Sequence, residues 1–351
     1  MNTADRLRRL RRELRTKKIG AVLVSQPENR YYLSGFSGSS GYLFITGRKT
    51  VLATDFRYLE QAKREAPDYR LLETRQNLNN WLPDLLGSTR NGQIGFEEGY
   101  VTVAQHHQLS NALKKVRPGI ELTPSNGQFE QLRINKEPYE IEQIRRAADL
   151  TRAAFEYAGK IMEAGISEQR LAWQIEVFLR ERGSQALPFE AIVASGPNAA
   201  LPHARPSERL LCEGEPIIID IGAKIGAYCS DMTRTFCLGT PCETYQRVYH
   251  TVQNAQEAAI SAVHDMATGQ EIDSAARKVI EQAGYGAAFG HALGHGLGLS
   301  VHEPPRLGPG SDDLIKNGMV FTVEPGVYLS GWGGVRLEDD VLVTNGIASI
   351  I

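Results

Sequence analysis

The sequence predicts two domains: an α/β layer domain over residues 1–124 and a larger domain of helices and strands over 134–351. Three observations carry this expectation. Helical and extended patterns alternate through the first third of the chain, as an α/β layer requires. The segment LTPSNGQFEQL at 122–132 is rich in turn formers and polar residues, which puts the boundary there with 125–133 as linker. The chain, at 351 residues, is long enough for two substantial cores.

Leu7, Leu10 and Leu14 recur at helical spacing in a basic opening stretch, so the first helix is read as amphipathic with a solvated basic face. A transit peptide or nucleic-acid tail is the alternative reading of that stretch. Strands follow at 21–25, 42–46 and 50–53, then a helix near 56–66 and a strand near 69–73. A helix near 78–86, a strand at 93–96 and a helix over 103–116 complete the domain. The second domain opens on a long helix with Pro138 in its first turn. Glu137, Glu140 and Glu142 suit its positive end, and it runs to about Met162. Another helix follows Ser167, with Glu168 at its start and Arg180 and Arg182 near its end. Two more are expected at 243–267 and 272–283, the last ended by Gly284, with strands at 190–195, 216–223, 227–237, 319–324 and 335–343.

Composition narrows the partners. Hydrophobic content of 42% and charged content of 23% are ordinary for a soluble globular protein. A formal net charge of -2 gives no general attraction to nucleic acid or anionic membrane. No apolar run approaches the roughly 20 residues that span a bilayer, and the charged start is not a secretory signal. Cys212, Cys229, Cys237 and Cys242 contain no C-x-x-C pair, which points to reduced thiols in a cytoplasmic protein.

Chemistry concentrates in the last third. Asp220, Asp231, His295, Glu324 and Glu338 stand in IIIDIGA, CSDMTRTF, HALGHGLGLSVHE, FTVEPGVY and VRLEDD. Acids flanked by apolar strand residues are costly to bury unless they hold cations. One divalent ion needs fewer ligands than this; two ions sharing carboxylates use all five, and paired metals are a hydrolytic device. Residues 217–237 read as a hairpin. A turn centred between Ile225 and Gly226 places Asp220 opposite Asp231, with Cβ atoms about 4.5–5.5 Å apart. A second hairpin centred on Gly331 places Glu324 opposite Glu338, with Pro325 a source of irregularity. Of eight histidines, His291, His295 and His302 fall in one glycine-rich segment. Gly294, Gly296 and Gly298 there argue against a regular helix and permit close approach of backbone to a ligand. His203, in LPHARP, alone reads as a loop histidine.

The five-residue set, over 134–351, resembles the metallopeptidases of the pita-bread fold: methionine aminopeptidase, Xaa-Pro aminopeptidase and Xaa-Pro dipeptidase (prolidase). HALGHGLGLSVHE is similar to that family's H-x3-GHG-x5-HE, and LPHARPS to the histidine loop of its proline-specific branch. EPGVY and VRLEDD resemble its closing motifs; NRYYLSGFSGSSG and TDFRY give a weaker likeness in the first half. The resemblance implies an α/β N-terminal creatinase-like domain and an α+β C-terminal pita-bread (creatinase/aminopeptidase) domain. It implies two divalent metal ions per chain, Mn²⁺ favoured over Co²⁺, Zn²⁺ or Fe²⁺. Asp220 and Asp231 would bind the first, with Asp231 and Glu338 bridging to the second, completed by His295 and Glu324. Glu324 would be general base and proton shuttle. His203, His291 and His302 would contact substrate or the tetrahedral intermediate. Arg336 would orient a ligand carboxylate, and Tyr328 would help close the pocket.

The same likeness implies proline-containing peptides as substrate and a homodimer in which Arg57 of TDFRY approaches the neighbouring site. Dipeptidases of the family often carry arginine directly after the first histidine of the GHG motif, where this chain has Ala292. The loop FSGSSG also lacks a charge for a dipeptide terminus. Both features favour the Xaa-Pro aminopeptidase over the dipeptidase. A pseudo-peptidase that only binds partners, or a creatinase-like carbon–nitrogen hydrolase, conflicts with the complete ligand set.

Overall fold

The computed structural model describes residues 2–87, 92–125 and 127–351. The chain divides into two compact units, Met1–Arg133 and Ile134–Ile351.

In the first unit a mixed six-stranded sheet runs in the order β4-β3-β2-β1-β5-β6. Its strands are β1 (Ala21–Val24), β2 (Tyr42–Thr46), β3 (Thr50–Thr54), β4 (Arg70–Glu73), β5 (Gly92–Phe96) and β6 (Ile120–Pro124). Helices α1 (Thr3–Thr16), α2 (Pro27–Ser34), α3 (Leu59–Glu65), α4 (Leu78–Leu86), α5 (Val103–Val116) and α6 (Gln128–Arg133) accompany it. One core gathers Leu23, Phe44, Trp81, Leu85, Leu109 and Leu113. Helix α1 buries Leu7, Leu10 and Leu14, but its basic face is not wholly solvated. Arg6 is fully buried and donates to the Tyr32 carbonyl at 2.9 Å. The stretch expected as a boundary and linker is largely structured. β6 extends the sheet alongside β5, and α6 buries Phe129 and Leu132. Those two apolar residues stand at helical spacing, and the surrounding turn formers mask them.

The second unit has two large cores among its described residues. Helices α7 (Pro138–Ile161) and α8 (Glu168–Glu181) cover the sheet β11-β8-β7, made of β7 (Ile192–Ser195), β8 (Pro216–Ile221) and β11 (Met232–Cys237). The short strands β9 (Lys224–Ile225) and β10 (Tyr228–Cys229) carry the hairpin turn between β8 and β11. Helices α9 (Glu243–Ser261) and α10 (Gly269–Gln282) pack with the second core. Its sheet has the order β13-β12-β14-β17-β18: β12 (Gly294–Gly296), β13 (Glu303–Leu307), β14 (Val320–Val323), β17 (Asp339–Thr344) and β18 (Ile347–Ile350). A separate hairpin joins β15 (Gly326–Leu329) and β16 (Gly333–Arg336). Helix α9 ends at Ser261, short of the expected 267, and α10 starts ahead of the expected 272 because Thr268 and Glu271 form a reciprocal capping box there.

Three expected strands are interrupted, each at an acid singled out above. Residues 227–237 split into β10 and β11 around Asp231. The run 335–343 splits into β16 and β17 around Glu338. Strand β14 ends immediately before Glu324. Such breaks release a residue from the ladder and re-aim its side chain.

Candidate metal centre

The ten residues assigned to the metal and substrate site line one cavity of about 570 Å³: Asp220, Asp231, Glu324 and Glu338, then His203, His291, His295, His302, Tyr328 and Arg336; Arg57 is not among its lining residues. The first hairpin reaches this arrangement by a register different from the expected one. Asp220 pairs with Thr233, not Asp231. The reason is the turn, which is centred one residue later: Gly226 (φ 55°) and Ala227 (φ 73°) are both left-handed, as a two-residue type I′ turn requires. The pairing therefore shifts by two residues. An even shift keeps side chains on the same face, so Asp231 becomes the diagonal neighbour of Asp220 and still lines the cavity.

The second hairpin follows the expected register. Gly326 pairs with Arg336 and, beyond the break, Val323 pairs with Asp339. That continuous register sets Glu324 opposite Glu338. At this point the ladder opens: the Glu324 N–H donates to the Leu293 carbonyl at 2.8 Å, and the Glu338 N–H to the Thr233 carbonyl at 3.1 Å. The two glutamates thus mark the place where both strands exchange neighbours.

His295 projects from β12, beside a register shift between His295 and Gly296. Two of the glycines around it stand hard against protein backbone. A Cβ on Gly294 would lie 2.0 Å from the Thr322 carbonyl oxygen, and one on Gly296 2.1 Å from that of Pro304. The Nδ1 of His295 faces the Gly296 carbonyl at 3.2 Å and so must donate. Its Nε2 then presents a lone pair. That nitrogen lies 3.7 Å from Asp231 Oδ2 and 3.5 Å from Glu324 Oε1. Donor atoms of Asp231, His295 and Glu338 all lie within 4.8 Å of one another.

The electrostatics are those of a site built for cations. Burial pushes Asp231 well above the usual carboxylate range, with Glu338, Asp220 and Glu324 adding repulsion. Glu338 is raised in the same way by burial, then Glu324 and Asp220. Burial lifts Glu324 to about 8 and lowers His295 to about 4, where it stays neutral. Asp220 Oδ1 is buried without a hydrogen-bond partner. An unpartnered acid oxygen, a histidine lone pair aimed at acids and mutually repelling carboxylates fit a divalent-metal site.

Asp220 differs from the other acids in having a permanent cation. Arg336 Nη2 donates to its Oδ2 at 2.6 Å. The same guanidinium donates to Thr233 Oγ1 at 3.1 Å and the Tyr328 hydroxyl at 2.9 Å. Thr233 in turn donates to Glu338 Oε2 at 2.6 Å. Tyr328 lies 3.0 Å from His291 Nε2, and His291 Nδ1 donates to the Ala292 carbonyl at 2.8 Å. Both nitrogens of His291 are therefore engaged within the protein. His203 and His302 are exposed residues of the cavity lining. The His302 ring centre lies 4.2 Å from that of His295.

Sequence reasoning missed Thr233, Asp340, Arg205 and Arg306. Asp340 is fully buried and accepts the Asp231 N–H at 3.2 Å. Strand alternation was the available signal, since Glu338 and Asp340 are two apart. Arg205 and Arg306 both line the cavity; Arg205 stands inside the LPHARPS loop that drew attention only for His203, and Arg306 belongs to no pattern that local reading detects.

Comparisons with known proteins agree along the whole chain. Residues 142–345 match metallopeptidase family M24, and residues 6–135 match the Creatinase/Prolidase N-terminal domain. An Xaa-Pro dipeptidase of Pyrococcus furiosus is 34% identical over 343 residues, spanning 97% of this chain and 95% of that one. The structure of an Xaa-Pro dipeptidase from Bacillus anthracis superposes with a TM-score of 0.94 at 34% identity, covering 99% of this chain and 97% of its own. An X-Pro aminopeptidase from Thermotoga maritima gives 0.88 at 34% identity and 97% coverage of both chains. No helix among the described residues is long and apolar enough to cross a membrane.

Proposed function

The chain belongs to metallopeptidase family M24, with a creatinase/prolidase domain ahead of a pita-bread catalytic domain, and from that premise we propose that it is a metal-dependent Xaa-Pro dipeptidase. The observation that carries this reading is the buried acid–histidine cluster lining a single cavity. Asp220, Asp231, His295, Glu324 and Glu338 would hold two divalent ions, Mn²⁺ by the oxygen-rich ligand set. When bound, such ions make water available as a nucleophile near neutral pH and polarise the scissile carbonyl.

The chain's own groups do the rest. Glu324 accepts the proton of the attacking water and delivers it to the leaving nitrogen. His302, lowered from the usual histidine range by partial burial and then by His203, offers a ring N–H to the developing oxyanion. His203, on the same cavity wall, contacts the proline side of the substrate. An Xaa-Pro bond is a tertiary amide without an N–H, so selectivity rests on the shape of the cavity around the ring. The series Arg336, Tyr328 and His291 fixes Asp220 and the wall behind it.

Ala292 and the uncharged FSGSSG loop point to the aminopeptidase. Most of the named relatives, in contrast, are dipeptidases or prolidases, which supports the dipeptide as substrate. Arg205 and Arg306 supply the cationic groups that the local sequence lacked. Arg205 pairs with Glu190 at 3.4 Å, but both are highly exposed, so it remains available to a carboxylate. We place the enzyme in the cytoplasm as a homodimer. The described cysteines are all free, which supports the location, and Phe56 beside Arg57 is 74% exposed, which supports a partner there. Rates on an Xaa-Pro dipeptide, the matching Xaa-Pro-Xaa tripeptide and Xaa-Ala controls test the reading. Preference for the dipeptide is expected. Preference for the tripeptide would restore the aminopeptidase, and equal cleavage of alanine peptides would overturn proline selectivity.

A further inference from the structure

Glu168 is fully buried at the first position of α8, outside the cavity lining. Its carboxylate collects an unusual set of donors. Oε1 accepts the Ser195 N–H at 2.7 Å and the Ser195 hydroxyl at 2.8 Å. Oε2 accepts the Ser207 N–H at 3.1 Å and the Ser207 hydroxyl at 2.6 Å. The Asn198 amide donates to both oxygens, at 3.2 and 3.1 Å. The helix reinforces this grip. The N–H groups of Glu168 and Gln169, which have no partner within α8, donate to the carbonyls of Arg209 and Ser207 at 3.0 Å each.

These contacts share one topological property. Ser195 ends β7, Asn198 lies in the 3-10 turn Gly196–Ala200, and Ser207 lies on the returning limb. His203 is carried between them. Both limbs of the His203 loop are thus tied to one carboxylate, and Arg209 closes the base by donating to Ser195 Oγ at 2.9 Å and pairing with Glu215 at 2.7 Å. Two backbone N–H groups and an amide NH₂ can only donate, so the centre of this knot must be a pure acceptor. Glutamine would turn one acceptor oxygen into a donor facing donors.

We propose that Glu168 is a positioning residue that sets His203 against the substrate. The proposal rests on the substrate-contact role of His203 given above. A loop histidine displaced by about 1 Å loses on the order of 100-fold in rate.

The test is a double-mutant cycle in metal-loaded full-length protein, using kcat and KM on an Xaa-Pro dipeptide. Glu168→Gln should lower kcat/KM by about tenfold or more with bound metal unchanged. In a His203→Ala background the same change should have little further effect, because the residue through which it acts is gone. Ser207→Ala removes one donor hydroxyl from the knot and should give a smaller loss with the same dependence on His203. It answers the question if Glu168→Gln does not fold. An equal fold-loss in both backgrounds would overturn the proposal, since it would mean general damage rather than positioning. If His203→Ala leaves kcat/KM untouched, the substrate role of His203 falls; a Glu168→Gln loss beside that result removes the positioning role too.

Discussion

The two acid-bearing hairpins of the catalytic unit solve the same problem differently. In the aspartate hairpin the acids are offset by two residues, and Arg336 contacts Asp220 directly. In the glutamate hairpin the acids stand opposite one another where the ladder opens, and the hydroxyls of Thr322 and Thr233 donate to them at 3.3 and 2.6 Å. The difference teaches two things. An offset of zero or two preserves the face, so either register can build the site, whereas an odd slip would turn an acid away. Among the described residues no guanidinium donates to the carboxylates of Glu324 or Glu338, so their charge balance would depend more heavily on bound cations.

Removing the fixed cation should have the largest effect on stability. Arg336→Met leaves Asp220 buried without its ion-pair partner, and such losses run to about 3–5 kcal/mol. Urea unfolding of the metal-free protein should show this, and saturating Mn²⁺ should recover part of it. An equal loss with and without metal would contradict the division of labour between the hairpins.

Breaking the glutamate hairpin should act on turnover. Glu324→Gln keeps the shape and removes the base, so kcat should fall by about 100-fold or more. In the aspartate hairpin, Asp231→Asn, at a position expected to serve both ions, should weaken metal binding as well. Near-normal kcat with full metal occupancy would remove the role assigned to either residue.

The pH dependence sharpens the contrast further. Glu324 is raised in the fold from 4.5 to about 8, so the folded metal-free protein holds a proton that the unfolded chain releases. Its contribution to stability is full below about pH 4.5 and is lost as the pH rises to about 8. Asp231 and Glu338, also raised, act in the same sense. His295, lowered to about 4, acts in the opposite sense up to about pH 6.5, so melting temperature of the metal-free protein should fall from about pH 6.5 to about 8, and saturating metal should suppress the fall. A flat or rising profile without metal would count against the repulsion described here.

The smallest expected effects lie in the turn that set the aspartate register. Gly226→Ala places a Cβ at φ 55° and 2.5 Å from Gln143 Oε1, so a loss of about 1–2 kcal/mol is expected. Ala227→Gly relieves a left-handed alanine and should be neutral or stabilising by up to about 1 kcal/mol. Thermal melts of the pair read both signs.

These turns also explain what could be read from sequence. Gly331 announces its own turn, and the register of the second hairpin followed from it. Ala227 gives no local sign that it will adopt a left-handed conformation, so the first register was misplaced, by an even number that left the face intact. The four acids were legible because charged residues stood among apolar strand residues, and His295 because it shares one glycine-rich segment with His291 and His302. Helix α2, strand β6 and helix α6 were not, since glycines and turn formers nearby masked short apolar patterns. The roles of Arg205, Arg306 and Glu168 could not be read for a different reason: Arg205 and Glu168 stood in segments already singled out, but their partners are tertiary, and no spacing along the chain encodes them.

The central claim is that the buried acids hold the cations on which hydrolysis depends. It is tested most directly by following Xaa-Pro dipeptide cleavage and metal content together through chelation and Mn²⁺ reconstitution. The account predicts loss of activity on chelation, its return on reconstitution, and about two ions per chain in the active protein. A protein that stays fully active when free of metal would contradict it.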